Sequence, residues 1–232
     1  MTQSIQEEKT DFFLVSAHEL RTSLAATKWL FAMLLGGDLG PLTAEQKTML
    51  TEAQNSNERM IALISEVLTA MRSEQSPALY KMSALDLDKL ILETVNLFQQ
   101  EAHQHQMFIR YIPHEETVIT ADETRMRIVL HNLIENAIKY GRENTDITIS
   151  LTHSGTDAVL SIRDRGIGIP AQDQAKLFER FFRARNAETK ESGAGLGLYA
   201  IKQIITRHGG TVVCESTEGV GTTFRITLPL AV

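Results

Sequence analysis

The feature that most constrains the fold of this chain is a regular apolar repeat near its N-terminus. Its residues recur alternately four and three positions apart, which places them along one face of a helix and is typical of a seam between packed helices. The residues of this first seam are Phe13, Ala17, Leu20, Leu24, Thr27, Phe31 and Leu34. Glycine and proline residues within 36–41 end the pattern, so we predict a long helix followed by a tight turn.

A second helix is predicted to return after this turn. Thr43, followed three positions later by Gln46, predicts a capping box at its start. Its own seam consists of Leu50, Ala53, Asn57, Met60, Ile64, Val67 and Met71. One hairpin cannot bury two such seams, and we therefore predict a homodimer in which two α-helical hairpins form a four-helix bundle. Asn57 is the polar member of its seam, where a single polar residue can fix the register of the helices.

A polar break at residues 73–76, just before Pro77, separates the hairpin from a different pattern. We therefore divide the chain into a hairpin domain, 1–76, and a second domain, 77–232. The second domain is predicted to contain helices over 86–103, 120–140 and 196–208 and strands over 107–112, 147–151, 159–162, 212–215 and 223–228. Antiparallel strands interspersed with helices predict an α+β sandwich of two layers.

The composition limits the classes of function that remain. The formal net charge of −6 argues against general affinity for nucleic acid or for an anionic membrane. No apolar run reaches the roughly 18 residues of a transmembrane helix, so we expect no membrane insertion by this segment. The single cysteine, Cys214, fits a reducing compartment. We expect a cytoplasmic location, either for a complete protein or for the cytoplasmic part of a membrane-bound receptor.

A histidine with a carboxylate beside it lies on the first predicted helix. His18 directly follows the seam residue Ala17, so it lies about 100° around the helix from the seam, on the accessible flank of the bundle. One ring nitrogen of a neutral imidazole can act as a nucleophile, and Glu19 is the adjacent carboxylate that can hold the other. Thr22, one turn later, shares the face of His18. Taken alone, such a pair is more often a solvated helix surface.

The predicted helix 120–140 carries two asparagines suited to a metal. Asn132 and Asn136 are four residues apart and therefore project from one face. An amide oxygen is a hard ligand that suits Mg²⁺, and Lys139, one turn further along, can meet phosphate charge. The alternative is that both amides face solvent or cap a neighbouring strand.

Two glycine-rich stretches come after this helix. The first contains Asp164, whose carboxylate can accept a hydrogen bond from an exocyclic amine, and the second opens the helix 196–208, where backbone amides can bind phosphate. Their glycines are Gly166, Gly168, Gly193, Gly195 and Gly197. A tight surface turn is the alternative for the first stretch, and no GxxxxGK[ST] run of a P-loop enzyme is present. Together with His18, these parts predict phosphoryl transfer from ATP to a ring nitrogen.

A loop rich in phenylalanine and arginine separates the two glycine-rich stretches. Its aromatic and basic members are Phe178, Arg180, Phe181, Phe182, Arg183 and Arg185. Aromatic anchors that hold a basic loop are typical of a mobile lid over phosphates. The alternative is a surface helix that its phenylalanines attach to the core.

These motifs, in this order, resemble the cytoplasmic catalytic core of a bacterial two-component sensor histidine kinase. Residues from about 8 to 74 resemble its dimerisation and histidine-phosphotransfer domain. Residues from about 80 to 230 resemble its catalytic ATP-binding domain, from the superfamily shared with gyrase, a heat-shock chaperone and mismatch-repair ATPases. The resemblance implies a protein-histidine kinase that uses ATP and Mg²⁺, phosphorylates itself and passes the phosphoryl group to an aspartate of a response regulator receiver domain. It also implies phosphatase activity toward that regulator.

The resemblance implies roles for four residues in the reaction itself. His18 would be the phosphoacceptor, and Glu19 the carboxylate that polarises it. Arg183 matches the lid arginine near the γ-phosphate, and Thr22 matches the threonine associated with dephosphorylation of the regulator.

The resemblance also implies a set of nucleotide contacts. Asn136 would bind Mg²⁺, with Asn132 supporting it and Lys139 contacting phosphate. Tyr140 would lie against the adenine, and Asp164 would bind its amino group. The glycine-box positions would be Gly166, Gly168, Gly193, Gly195 and Gly197, and Thr222 or Thr223 could touch the water network of the adenine site.

Two positions differ from related sequences in ways that bear on the reaction. Hydrolytic members of the superfamily carry a water-activating glutamate one turn before the metal asparagine, where this chain has Asn132, and Glu135 points about 100° away from Asn136. Ser23 stands where the family usually has a proline that would bend the first helix. Two alternatives stay open from the residues alone: a nucleotide-sensing dimer that scaffolds a partner, and an ATP-hydrolysing member of the superfamily.

Overall fold

The computed structural model describes residues 22–54, 56–57, 60, 80–113, 117–187 and 195–231. These residues divide into two compact units: those up to residue 60 belong to the first, and those from residue 80 onward belong to the second. In the part of the chain that is described, no helix is long and apolar enough to cross a membrane.

The first unit contains the two predicted helices. Helix α1 covers 22–36, and helix α2 covers the described residues from 44 to 60. The predicted capping box is present, because the backbone N–H of Thr43 donates to Oε1 of Gln46 and the backbone N–H of Gln46 donates to Oγ1 of Thr43, at 2.9 and 3.2 Å. These two bonds fix where α2 begins. The predicted seam positions before residue 22 and after residue 60 lie outside the described residues.

Asn57 links the two helices of the hairpin. Its side chain is only 2% exposed, and its Nδ2 donates to the backbone oxygen of Leu24 on α1 at 3.0 Å. The seam residues Leu24, Thr27, Phe31 and Leu34 are only half-buried. In the described part of the hairpin these seam residues are therefore incompletely covered, and the amide of Asn57 joins α2 to α1.

The second unit contains all the strands of the described chain. The strands are β1 (Ser83–Asp86), β2 (Phe108–Tyr111), β3 (Val118–Ala121), β4 (Asp146–Ser154), β5 (Asp157–Arg163), β6 (Thr211–Thr217) and β7 (Gly221–Pro229). The helices are α3 (Leu87–Gln104), α4 (Glu123–Tyr140), α5 (Ala171–Gln174) and α6 (Gly197–Arg207). Strands β1 and β3 form an antiparallel pair, and the other five strands form a sheet in the order β2-β4-β5-β7-β6. Only the β2–β4 pair of that sheet is parallel.

The core lies between this sheet and a layer formed by α3, α4 and α6. Buried residues alternate with outward-facing ones along the central strands, as in β4, where Ile147, Ile149 and Leu151 are buried and the residues between them are exposed. The helices pack on the same side, α3 near β2, α4 near β5 and α6 near β6. The predicted two-layer α+β sandwich is therefore confirmed.

Three elements differ from the sequence-based expectation. Strands β1 and β3 were not predicted, and residues 120–121, expected to begin a helix, instead end β3. The helix starts after Asp122, whose Oδ1 accepts from the backbone N–H of Arg125 at 3.0 Å. The short helix α5 was also not predicted.

Asp122 does more than cap α4. Its Oδ2 accepts from the backbone N–H of Lys81 at 2.8 Å, and its own backbone N–H donates to Nε2 of His208 at 3.0 Å. His208 is the C-cap of α6, and its Nδ1 lies 2.8 Å from the backbone oxygen of Ile204. One buried junction thus joins the start of the second unit, the N-terminus of α4 and the C-terminus of α6.

Candidate functional site

Asp164 follows β5 and is only 6% exposed. Its Oδ1 accepts from the backbone N–H groups of Gly166 at 2.8 Å and Thr222 at 3.2 Å. Its backbone N–H donates to the oxygen of Thr222 at 2.9 Å. Burial raises the pKa of Asp164 to about 6, although these N–H groups favour the ionised form. Among the described residues, Oδ2 makes no hydrogen bond, so one acceptor remains for a ligand.

Two positions of the turn after Asp164, Gly166 and Gly168, have room only for glycine. A Cβ on Gly166 would lie 2.1 Å from the backbone oxygen of Tyr140, at the end of α4. Gly168 has a positive φ of 63°, and a Cβ there would lie 2.0 Å from the backbone oxygen of Thr217. The backbone N–H of Ile167 donates to Tyr140 at 3.1 Å. The turn is therefore fixed between α4 and the end of β6.

The predicted metal-binding and phosphate-binding residues lie along one border of α4. Asn132, Asn136, Lys139 and Tyr140 are all half-buried, between the buried face of the helix and its exposed face. Nδ2 of Asn132 donates to the backbone oxygen of Ile128 at 2.9 Å, which leaves its Oδ1 turned outward from the helix. Nζ of Lys139 lies 5.5 Å from the ring centroid of Tyr140.

The N-terminus of α6 lies against this border of α4. A Cβ on Gly197, the first residue of α6, would approach Oδ1 of Asn132 to 2.8 Å. Gly195 has a positive φ of 68°, and its backbone oxygen accepts from the N–H of Phe181 at 3.0 Å. Free amides at a helix N-terminus bind phosphate oxygens, so this end of α6 is suited to a phosphate chain.

Glu135 is exposed on α4 and pairs with the residue one turn before it. Its Oε2 is 3.7 Å from Nδ1 of His131, and a hydrogen bond to His131 is the main reason why the pKa of Glu135 is lowered. This carboxylate is therefore engaged with His131, and the charge of Lys139 also lowers its pKa.

The alternation of β7 separates the two predicted threonines. Thr222 is buried on the core side, next to Asp164, whereas Thr223 points to the other face of the sheet. Of the two, Thr222 is the one whose backbone N–H donates to the carboxylate of Asp164.

The loop rich in phenylalanine and arginine forms turns rather than a continuous helix over its described residues, 175–187. Phe181 adopts a positive φ of 62° and is 69% exposed. Nη2 of Arg183 donates to the backbone oxygen of Ala187 at 2.9 Å. Phe178 packs edge-on against Phe224 of β7, with 6.5 Å between the ring centroids. The aromatic anchor expected for a lid is thus present at Phe178.

Two side chains that the sequence did not single out hold this loop. The buried carboxylate of Asp173 accepts from the backbone N–H of Arg185 at 3.1 Å. Nδ2 of Asn186 donates to the backbone oxygen of Gly168 at 2.9 Å. No local pattern marks Asp173 or Asn186, because their partners lie 12 and 18 residues away.

The second unit brings most of the predicted site residues to one region, around the C-terminal half of α4, the turn after β5 and the start of α6. Thr22 is exposed on α1 in the first unit. His18, Glu19 and Gly193 lie outside the described residues.

Comparison with known proteins identifies both units. Residues 8–76 match the His Kinase A (phospho-acceptor) domain, and residues 121–232 match the histidine kinase-, DNA gyrase B- and HSP90-like ATPase family. The catalytic domain of histidine kinase ThkA is 32% identical, and the match covers 95% of that chain and 64% of this one, with a TM-score of 0.57. This chain belongs to the histidine kinase family.

Longer histidine kinases match both units together. The sensor histidine kinase WalK of Bacillus subtilis is 32% identical over 98% of this chain, and full-length ShkA in complex with AMPPNP is 26% identical over 95% of it, with a TM-score of 0.76. The match covers 38% of WalK and 46% of ShkA. The chain thus spans well under two thirds of these relatives and corresponds to their kinase core, as the motifs predicted.

Proposed function

We propose that this chain is the catalytic core of a sensor histidine kinase, which phosphorylates His18 with Mg²⁺-ATP and then passes the phosphoryl group to an aspartate of a response regulator receiver domain. The observation that carries this proposal is the buried carboxylate of Asp164, which keeps one oxygen available beside a turn that only glycine can form. An acceptor of this kind is suited to the amino group of adenine.

The residues of the second unit fit ATP and Mg²⁺. The Oδ2 atom of Asp164 would accept from the adenine, and the glycine turn would let the backbone approach the ligand closely. The half-buried amide of Asn136 offers the oxygen ligand that Mg²⁺ prefers. Lys139 would neutralise phosphate charge, and the N-terminus of α6 would donate its amides to phosphate oxygens. Bound ATP supplies the γ-phosphoryl group.

His18 would be the nucleophile of the transfer. A ring nitrogen forms the new N–P bond while the P–O bond to the departing ADP breaks, and Glu19 stabilises the positive charge that develops on the imidazole. Arg183 would neutralise charge on the γ-phosphate. Positioning and charge neutralisation supply most of the catalysis in reactions of this kind.

Transfer to histidine, rather than to water, is supported by the carboxylates near the metal asparagine. Asn132 occupies the position of the water-activating glutamate of hydrolytic relatives. The nearby Glu135 is engaged with His131, and its position in the sequence is about 100° around the helix from Asn136. We therefore expect neither Asn132 nor Glu135 to activate water against the γ-phosphate.

We further propose a homodimer, with the domain boundary between residues 76 and 77. Among the described residues of the first unit, Asn57 alone is buried, so this part of the hairpin contains no buried apolar residue. A second hairpin would cover its seam residues. We place the phosphatase function toward the regulator at Thr22, on the exposed surface of α1, and the core in the cytoplasm.

Radiolabelling tests the proposed reaction. The purified chain, incubated with Mg²⁺ and ATP labelled at the γ-phosphate, should acquire label that is labile in acid and stable in base, as expected of phosphohistidine. His18→Gln should acquire none and should still bind ATP. Nucleotide binding without any label on the parent chain would instead favour a scaffold, and phosphate release without phosphoprotein would favour a hydrolase. Incubation of the labelled chain with candidate receiver domains then identifies the acceptor of the phosphoryl group.

A further inference from the structure

Ser216, on β6, occupies a hydrogen-bonded junction beside Asp164. Its Oγ donates to the backbone oxygen of Gly221 at 2.9 Å and accepts from the backbone N–H of Ile169 at 2.9 Å. The same oxygen lies 3.0 Å from Oγ1 of Thr222. No sequence motif singles out Ser216, and any role for it in nucleotide recognition rests on the proposed function.

The number of hydrogens at this junction fixes the direction of the bond between the two hydroxyls. A carbonyl can only accept, so the single hydroxyl hydrogen of Ser216 is directed to Gly221. A backbone N–H can only donate, so Ile169 uses one of the two lone pairs of Ser216 Oγ. The remaining lone pair can only accept. The hydrogen between the two hydroxyls therefore comes from Thr222.

Thr222 consequently directs its hydroxyl hydrogen toward Ser216. Its backbone N–H is also engaged, with Oδ1 of Asp164 at 3.2 Å. A base that contacts Thr222 as well as Asp164, as the family resemblance implies, would therefore meet acceptors at both positions: the carboxylate Oδ2 and the lone pairs of Thr222 Oγ1. Such an edge favours an amino group and repels a carbonyl oxygen.

The backbone around the junction is held in place, so the hydroxyl of Ser216 has little freedom to turn elsewhere. Nε2 of Gln174 donates to the backbone oxygens of Ile169 at 3.0 Å and Ser216 at 2.8 Å. Gly221 has a φ of 144°, and a Cβ on it would lie 2.3 Å from the backbone oxygen of Asp164. The carbonyl that accepts from Ser216 is therefore fixed against the turn that carries the carboxylate.

We propose that Ser216 is a positioning residue that sets selectivity for the 6-amino group of adenine, by holding the hydroxyl of Thr222 as a donor toward itself. Without Ser216, the Thr222 hydroxyl can rotate and donate to a carbonyl oxygen at the 6-position of a purine. The affinities of the base site for purines with a 6-amino group and for purines with a 6-carbonyl oxygen then become more similar.

The test compares ATP with ITP, which carries a carbonyl oxygen in place of the 6-amino group. Binding of each to the intact chain with Mg²⁺ is measured by isothermal titration calorimetry. The parent chain should prefer ATP. In Ser216→Ala, the ratio of ATP affinity to ITP affinity should fall by on the order of tenfold, the value of one or two hydrogen bonds. Ser216→Thr retains the hydroxyl and should retain the ratio.

Three further variants separate selectivity from a general structural role. Ser161→Ala removes the hydroxyl of another half-buried serine of the same sheet and should keep the ratio of the parent. Thr222→Val should lower the ratio of ATP affinity to ITP affinity as Ser216→Ala does. This variant tests the same hydrogen bond if Ser216→Ala fails to fold. The double variant should show no further fall, because the two side chains act through one hydrogen bond.

Equal losses of ATP and ITP affinity in Ser216→Ala or in Thr222→Val, with an unchanged ratio, would overturn this proposal and leave the proposed function intact. A parent chain that binds neither nucleotide would instead refute the proposed function. The two failures are therefore distinct.

Discussion

Asp164 makes the proposed base site sensitive to pH. Its carboxylate is buried, and burial raises its pKa to about 6, against the effect of the backbone N–H groups of Gly166 and Thr222. Above that pH the group is ionised and both oxygens accept hydrogen bonds. Below it the group is protonated, and one acceptor becomes a donor.

We therefore expect the affinity for ATP to be constant above about pH 7 and to fall as the pH decreases through 6, by up to about tenfold per pH unit. Calorimetric titrations across this range, in Mg²⁺, measure the dissociation constant. Asp164→Asn should bind ATP weakly at every pH, and its remaining pH dependence reports the titration of the nucleotide phosphates alone. The same pH dependence in parent and variant would show that Asp164 does not face the base.

The residue types of the site could be predicted because each motif is local. Asp164 and its two glycines lie within five positions, and Asn132 and Asn136 within one helical turn. What could not be predicted are the bonds that join distant segments. Thr222 and Asp164 are 58 residues apart, and only the pairing of β5 with β7 brings them together. Ser216 has no signal of its own, because its contacts with Gly221 and Thr222 depend on the pairing of β6 with β7.

At the scale of elements, α4 owes its position to the junction at Asp122. This carboxylate caps α4 through the N–H of Arg125 and also holds the N–H of Lys81, at the start of the second unit. Asp86 provides a simpler comparison, because its Oδ1 caps α3 through the N–H of Lys89. Asp122 differs from Asp86 mainly because it is buried and because it also accepts from the N–H of Lys81.

Asp122→Ala should lower the free energy of unfolding of the second unit by about 1 to 2 kcal/mol, since it removes a cap and leaves the N–H of Lys81 without its acceptor. Asp86→Ala should cost less, about 0.5 to 1 kcal/mol. Urea denaturation followed by circular dichroism measures both. Asp122→Asn keeps an acceptor for the cap and should lie between the parent and Asp122→Ala. Equal losses in the two alanine variants would contradict a role for the second bond.

Helices with a repeat in their own sequence were predicted well, whereas short strands without such a pattern were not predicted. Helices α3, α4 and α6 each carry a helical repeat, and the structure starts and ends them within a few residues of the prediction. Strands β1 and β3 are four residues long and find each other across α3 and β2. The strand β3 also runs directly into the cap of α4, which is why residues 120–121 resembled the start of a helix.

At the scale of the whole molecule, the buried apolar cluster of the described residues belongs to the second unit. Every residue of the buried apolar cluster lies between Leu85 and Leu228, whereas the described hairpin contributes none. The two units should therefore differ in what they need in order to be stable: the second is self-sufficient, and the first requires a partner hairpin.

We expect a fragment of residues 77–232 to fold, to bind Mg²⁺-ATP with the affinity of the intact chain and to remain monomeric. The intact chain should be a dimer. Analytical ultracentrifugation gives the masses, and calorimetry gives the affinities. A dimeric fragment would place the association surface in the second unit, and a monomeric intact chain would contradict the four-helix bundle.

The position of β7 in the sheet has a consequence for biosynthesis. β7 follows all the other strands in the chain, yet it lies between β5 and β6 and supplies the Thr222 N–H that binds Asp164. A nascent polypeptide therefore carries β5 with an open edge, and no base can be recognised, until β7 has left the ribosome. We therefore expect nucleotide binding to arise only once β7 has been synthesised. A chain truncated before β7 should not bind the nucleotide.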